Sequence, residues 1–117
     1  MLLTYQQQSV LNYCVFCYGG TYKFDGDFIR IFVDTDEFYI NIKDKARFGM
    51  FHIYHRNNQE LKYTGERHFH RQARSNHLSH AFFLCFTHLF NKNSGILNQP
   101  GDFSRFQEDA VKYFPAY

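Results

Sequence analysis

The hydrophobic pattern opens at helical spacing. After Thr4, apolar residues recur at Val10, Leu11, Cys14, Val15 and Tyr18, and Gly19-Gly20 supplies a stop, which predicts a helix over Tyr5 to Tyr18. The period then changes to two. Phe28-Ile29-Arg30-Ile31-Phe32-Val33, the turn Asp34-Thr35-Asp36-Glu37 and Phe38-Tyr39-Ile40-Asn41-Ile42 read as a hairpin. Lys43-Asp44-Lys45 reads as a second turn and Phe48 to His55 as a further strand, with Gly49 marking a bulge or a close backbone approach. Short strands around Tyr22 to Phe24 and Leu61 to Tyr63 would widen the sheet to five. Turns this short force antiparallel pairing, because a parallel crossover needs about a dozen residues or more.

Helical spacing returns after Ser75 and Asn76, either of which can cap a helix running to about Asn91. Leu78, Phe82, Cys85 and Leu89 form one stripe there, with Ala81, Phe86 and Phe90 beside it, so this helix should be largely buried. Asn93-Ser94-Gly95 closes it. A last helix follows from the cap Asp102 through Phe114, ended by Pro115, with Phe103, Phe106, Ala110, Val111 and Phe114 inward. The expectation is an α+β fold: an N-terminal helix, an antiparallel meander of three to five strands, then two C-terminal helices packed on one sheet face, all within one compact domain over residues 1–117.

Composition sharpens this in one respect. The chain of 117 residues holds 15 Phe and 9 Tyr but no Trp, more aromatic surface than a core of this size takes in, so some rings should lie outside as a partner surface unless Phe merely replaces the scarce Leu. The longest apolar run in its C-terminal half, Ala81 to Phe86, is far short of a membrane span. MLLTYQQQ lacks the basic start of a secretion signal. Three cysteines are an odd count that fits a reducing compartment. A cytoplasmic protein without membrane contact is expected, and its oligomeric state is left open.

The net charge of +2 hides an asymmetry: from Lys43 to Arg74 eight basic residues face three acidic ones, a balance of +5, while the rest sums to −3. Six of the seven histidines fall between His52 and His80. The stretch is interleaved with Tyr54, Tyr63 and Phe69. Phosphates attract Arg and Lys, and unpaired bases stack on Tyr, Phe, His or guanidinium, so nucleic acid is one partner this pattern suits. The order of one helix, three strands and a helix with basic residues before it resembles that of double-stranded-RNA-binding domains. The resemblance covers order only, since Arg67, His68, His70, Arg71 and Arg74 stand where that family has a lysine cluster, and the following helix is rich in Phe rather than Ala. The acidic run Asp25, Asp27, Asp34, Asp36 and Glu37 reads as solvated hairpin turns, or as a phosphate mimic for a basic channel.

Two kinds of chemistry can be drawn from the residues. Cys14-x2-Cys17 and Cys85-x2-His88 supply a Cys3His ligand set, a weak zinc candidate because both pairs lie in apolar stripes. The pairs His68-x-His70 and His77-x2-His80 lack a nearby carboxylate. Metal-independent RNA cleavage would draw its acid, base and phosphate-binding cation from His52, His55, His68, His70 and Arg71. His52 and His55, at an odd separation, should face opposite sides of a strand. No phosphate loop, nucleophile elbow or dinucleotide fingerprint is present.

The expected function is therefore a small non-enzymatic interaction protein without a cofactor. It would bind or inhibit a nucleic-acid-processing protein or ribonucleoprotein complex, as a phage-type inhibitor or immunity-like factor does. The expected surface comprises Tyr54, Arg56, Lys62, Tyr63, Arg67, His68, His70, Arg71 and Arg74. Direct RNA binding, or the ribonuclease above, is the alternative on the same stripe.

Overall fold

The computed structural model describes residues 3–57, 70–93 and 99–116. The chain runs α1 (Tyr5–Phe16), β1 (Thr21–Asp25), β2 (Phe28–Val33), β3 (Asp36–Asn41), α2 (Asp44–Phe48), β4 (Phe51–Asn57), β5 (His70–Ser75), α3 (Leu78–Asn93) and α4 (Asp102–Tyr113). The fold is α+β, with five antiparallel strands in the sheet order β1-β2-β3-β4-β5. Among the described residues no helix is long and apolar enough to cross a membrane.

Local chemistry explains most boundaries. Thr4 starts α1 with a reciprocal capping box: its Oγ1 accepts from the Gln7 amide at 3.1 Å and its own amide donates to Gln7 Oε1 at 2.9 Å. The helix ends where Gly19 takes a left-handed φ of 68°. Gly20 then passes so close to β2 that a Cβ there would lie 2.5 Å from the Phe32 carbonyl oxygen. This approach seats the end of α1 on the sheet.

Strand alternation puts Ile29, Ile31 and Val33 of β2, Phe38 and Ile40 of β3, and Phe51 and Ile53 of β4 in the core, all buried. Against them lie Val10, Leu11, Cys14 and Val15 of α1 and Leu78, Ala81, Phe82, Cys85 and Leu89 of α3. Fully burying one such large side chain contributes about 1.5–3 kcal/mol, so this layer is the main stabilising element. The last helix packs across α1 and α3, with Tyr13 stacked on Phe106 at 4.2 Å and on Phe114 at 4.8 Å.

Four details differ from the sequence expectation. Lys43-Asp44-Lys45 is not a simple turn, because Asp44 begins the short helix α2, which carries Phe48 out of the strand assigned to it. That strand begins at Phe51. The stretch before α3, to which the sequence pattern assigns no strand, contains β5, whose six residues HRQARS pair along β4 with a bulge that sets Ile53 opposite Ala73 and Tyr54 opposite Arg71. Finally, Asp36 and Glu37 belong to β3 and are buried, not solvated turn residues. Five strands and a further helix also take the chain away from the double-stranded-RNA-binding order. The expected strand at Leu61 to Tyr63 lies outside the described residues.

Candidate nucleic-acid interface and a buried polar cluster

Strand positions alternate, so the sheet face turned away from α1 and α3 carries Phe28, Arg30 and Phe32 of β2, Glu37, Tyr39 and Asn41 of β3, and His52, Tyr54 and Arg56 of β4. Except for Glu37 these side chains are half-buried, as expected on a sheet face that α1 and α3 do not cover. Their rings form a continuous row. Phe28 meets Tyr39 at 4.6 Å, Tyr39 meets Tyr54 at 5.8 Å, Tyr54 meets His52 at 6.3 Å, and His52 meets Phe48 of α2 at 5.7 Å. Phe48 is 66% exposed, an uncommon position for a phenylalanine. The row thus ends in a ring that projects into water.

Charge on this face is arranged around one buried carboxylate. Glu37, 1% exposed, accepts from Arg30 Nε at 3.1 Å and from Arg56 Nε at 2.9 Å and Arg56 Nη2 at 2.8 Å, and Arg30 Nη2 also reaches it. The hydrogen bond that Arg30 donates to Glu37 raises the Arg30 pKa further, with the Glu37 and Asp25 charges adding to it. Arg30 lies over the Phe32 ring at 5.5 Å. At the α2 end His52 Nδ1 lies 3.3 Å from the buried Asp44 carboxylate. Burial, with the Asp44 charge next, keeps the Tyr39 phenol above its ordinary pKa and therefore neutral. Lys23, Arg47 and Arg74 are exposed around the rim, and Arg74 stands opposite His52 in the register. Lys45 Nζ donates to the Asn76 carbonyl at 2.7 Å, tying α2 to the turn after β5.

On the opposite side of the sheet, polar groups interrupt the core. Asp36 is in phase with Phe38 and Ile40, and its Oδ1 lies 2.8 Å from His55 Nε2. Asn57 Nδ2 donates to the same oxygen at 3.1 Å and to Thr35 Oγ1 at 3.1 Å. From α3, the His88 ring lies 4.4 Å from the His55 ring and meets Phe38 edge-on at 5.6 Å.

The sequence-derived candidates divide accordingly. Tyr54 and Arg56 sit on the open face and Arg74 at its rim. His70 and Arg71 stand opposite His55 and Tyr54 in β5, while Lys62, Tyr63, Arg67 and His68 lie outside the described residues. His52 and His55 face opposite sides of β4, as their spacing requires, so these two cannot share one scissile bond as acid and base. The Cys3His set does not assemble. Cys14 and Cys85 are buried, Cys14 donates its thiol to the Phe82 carbonyl at 3.2 Å, Cys17 is exposed, and His88 joins Asp36 and His55 instead. Burial drives the pKa values of Cys14 and Cys85 far above that of a free thiol. His80 hydrogen-bonds Ser75 Oγ through Nδ1 at 2.8 Å and His77 is exposed, so that pair forms no joint site. Missed by sequence reasoning were Glu37, the pivot of the open face, and Asp36. Their signal was their phase with the alternating residues of β3. Phe28, Tyr39 and Phe48 were assigned to elements but not to a surface.

Compared with protein-family models, curated proteins and solved structures, the chain matches none.

Proposed function

We propose that the protein is a small non-enzymatic interaction module that engages an unpaired nucleic-acid strand, free or within a ribonucleoprotein complex, on its open sheet face. The observation that carries this reading is the ring row Phe28–Tyr39–Tyr54–His52–Phe48, laid across adjacent strands and rimmed by Lys23, Arg47 and Arg74. Bases present a flat face whatever their identity, and stacking on aromatic side chains is worth about 1–3 kcal/mol per base. Cations at the rim suit the phosphates that accompany stacked bases. An inhibitory role toward a nucleic-acid-processing complex would use the same face, seated where that complex exposes its own strand. The three cysteines, all unpaired, fit a reducing compartment such as the cytoplasm.

The test is fluorescence anisotropy with labelled single-stranded and duplex RNA and DNA across a salt series. Single strands should bind more tightly than duplex. Tyr54→Ala should weaken binding by roughly tenfold, in line with the loss of one stacked base, and Arg47→Ala with Arg74→Ala should flatten the salt dependence. Equal affinity for duplex, or binding indifferent to Tyr54→Ala, would refute a stacking face. Failure to bind any nucleic acid would assign the surface to a protein partner.

A further inference from the structure

The polar cluster under the sheet is independent of the open face and has a chemistry of its own. Asp36 on β3, His55 on β4 and His88 on α3 each bring one potential ligand atom to a common point, all within 4.8 Å of one another. Among the described residues no other group of three His, Cys, Asp or Glu side chains converges in this way. We propose that Asp36, His55 and His88 form a binding site for a divalent first-row transition metal of borderline softness, with Zn2+ the best fit.

Donor type selects the ion class. Two imidazole nitrogens and one carboxylate oxygen suit Zn2+, Co2+ or Ni2+, whereas Ca2+ and Mg2+ favour oxygen ligands and gain little from two imidazoles. Spacing agrees. Ligands at about 2.0–2.1 Å around a tetrahedral ion lie roughly 3.3 Å from one another. The His55 Nε2 to Asp36 Oδ1 contact of 2.8 Å is shorter than this, and the 4.8 Å limit on the set is longer. An ion at this point would therefore take the place of the hydrogen bond between Asp36 and His55, with the proton of that bond released to solvent.

The surroundings of the cluster have the features of a built site. Asn57 donates to Asp36 Oδ1 and to Thr35 Oγ1, holding the carboxylate by an outer contact of the kind that orients metal ligands. Asp36 is 4% exposed and the His55 side chain 14% exposed. The carboxylate is thus shielded while a path to water remains for a fourth ligand. His88 departs from an α3 that is otherwise apolar through Ala81 to Phe86, and it is aimed at the sheet rather than at the cysteines. A bound ion would join β3, β4 and α3 at one end of the core, in the manner of a structural clasp.

The test uses the untagged, full-length protein after chelator treatment, titrated with Co2+ and then with Zn2+. One equivalent of Co2+ should give the visible bands of a tetrahedral ion without a thiolate charge-transfer band, and Zn2+ should bleach them. His55→Ala and His88→Ala should each weaken Co2+ binding by at least about tenfold, and Asn57→Ala should weaken it by roughly tenfold through the outer contact. Cys17→Ser and His77→Ala should leave it unchanged. If His88→Ala fails to fold, His88→Gln and the wild-type spectrum carry the test. Absence of stoichiometric binding, a thiolate band, or binding that survives loss of both histidines would overturn the proposal. None of these outcomes bears on strand binding by the opposite face.

Discussion

Replacing Glu37 with Gln should remove the pivot of the open face at almost constant volume. The carboxylate is buried and accepts from the Nε and Nη2 atoms of both Arg30 and Arg56. A glutamine offers one carbonyl oxygen and one amide, so whichever way it turns, one guanidinium meets a donor instead of an acceptor. Hydrogen bonds to charged partners are each worth about 1.5–3 kcal/mol, and removing one partner of a buried ion pair costs about 3–5 kcal/mol. The arginine side chains are 26% and 24% exposed, so water can recover part of what they lose. The expected loss is therefore roughly 2–3 kcal/mol, below the full buried-pair value. For a chain of this length that lowers Tm by about 8–12 °C. Urea unfolding followed by circular dichroism should show a lower midpoint with an unchanged slope. A double-mutant cycle with Arg56→Met should give a coupling above about 1 kcal/mol. A loss below about 0.5 kcal/mol would refute the reasoning, since the guanidiniums would then be fully served by water and Glu37 would not organise the face.

Three further outcomes follow from the geometry. Gly20→Ala should destabilise by about 1–3 kcal/mol in denaturant unfolding, because its Cβ would meet the Phe32 carbonyl and Val33 Cγ2 at 2.5 and 2.6 Å, whereas Gly26→Asn, in open space at a φ of 61°, should cost less. Although Cys17 is exposed as a residue, partial desolvation by its neighbours pushes its thiol up to about 11, so iodoacetamide at about pH 8 should alkylate it on the order of a hundredfold more slowly than a free cysteine, and Cys14 and Cys85 should react only on unfolding. Burial, then the nearby His77, holds the His80 pKa below its ordinary value of 6.5, so the folded state resists a proton that the unfolded chain accepts. Stability from this group is complete above that value and is lost as pH falls through the lowered one; the drop in urea midpoint between about pH 7.5 and pH 5.5 should shrink in His80→Gln.

Legibility in the sequence followed the reach of each interaction. The strands from Phe28 to Ile42 could be read because apolar alternation is written locally, and α1 because Thr4 and Gln7 form its cap within one turn. The last strand could not be read. His70 to Ser75 holds a single apolar residue, Ala73, and owes its extended form to hydrogen bonding along β4, outside the reach of a local pattern. His88 was grouped with Cys85 by its three-residue spacing. On a helix that spacing leaves the two side chains some 60° apart, enough for Cys85 to enter the core while His88 turns to the sheet. Asp36 and Glu37 look like a turn because acidic residues usually mark one, yet both begin the alternation of β3, Asp36 on the core face with Phe38 and Glu37 on the open face with Tyr39. For the open face, the alternation already separates Phe28 and Tyr39 from the core. What it does not encode is that Tyr39 stands next to Tyr54, since that neighbour is set by the pairing of β3 with β4.

The stacking of Tyr13 on Phe106 and Phe114 also sets an order of events during synthesis. Each strand of the meander emerges next to its own partner, so the sheet can grow hairpin by hairpin behind the ribosome. The first helix meets β1 early, where Gln8 Nε2 donates to the Tyr22 hydroxyl at 2.7 Å, but its flank around Tyr13 has no such neighbour. Tyr13 waits 93 positions for Phe106, and Cys14 waits 68 for the Phe82 carbonyl. Until then the aromatic flank of α1 is uncovered, and the nascent chain carries an adhesive surface at its oldest end. Holdase binding should therefore be strongest on chains stalled between β5 and α4, and should fall once Phe114 has left the exit tunnel.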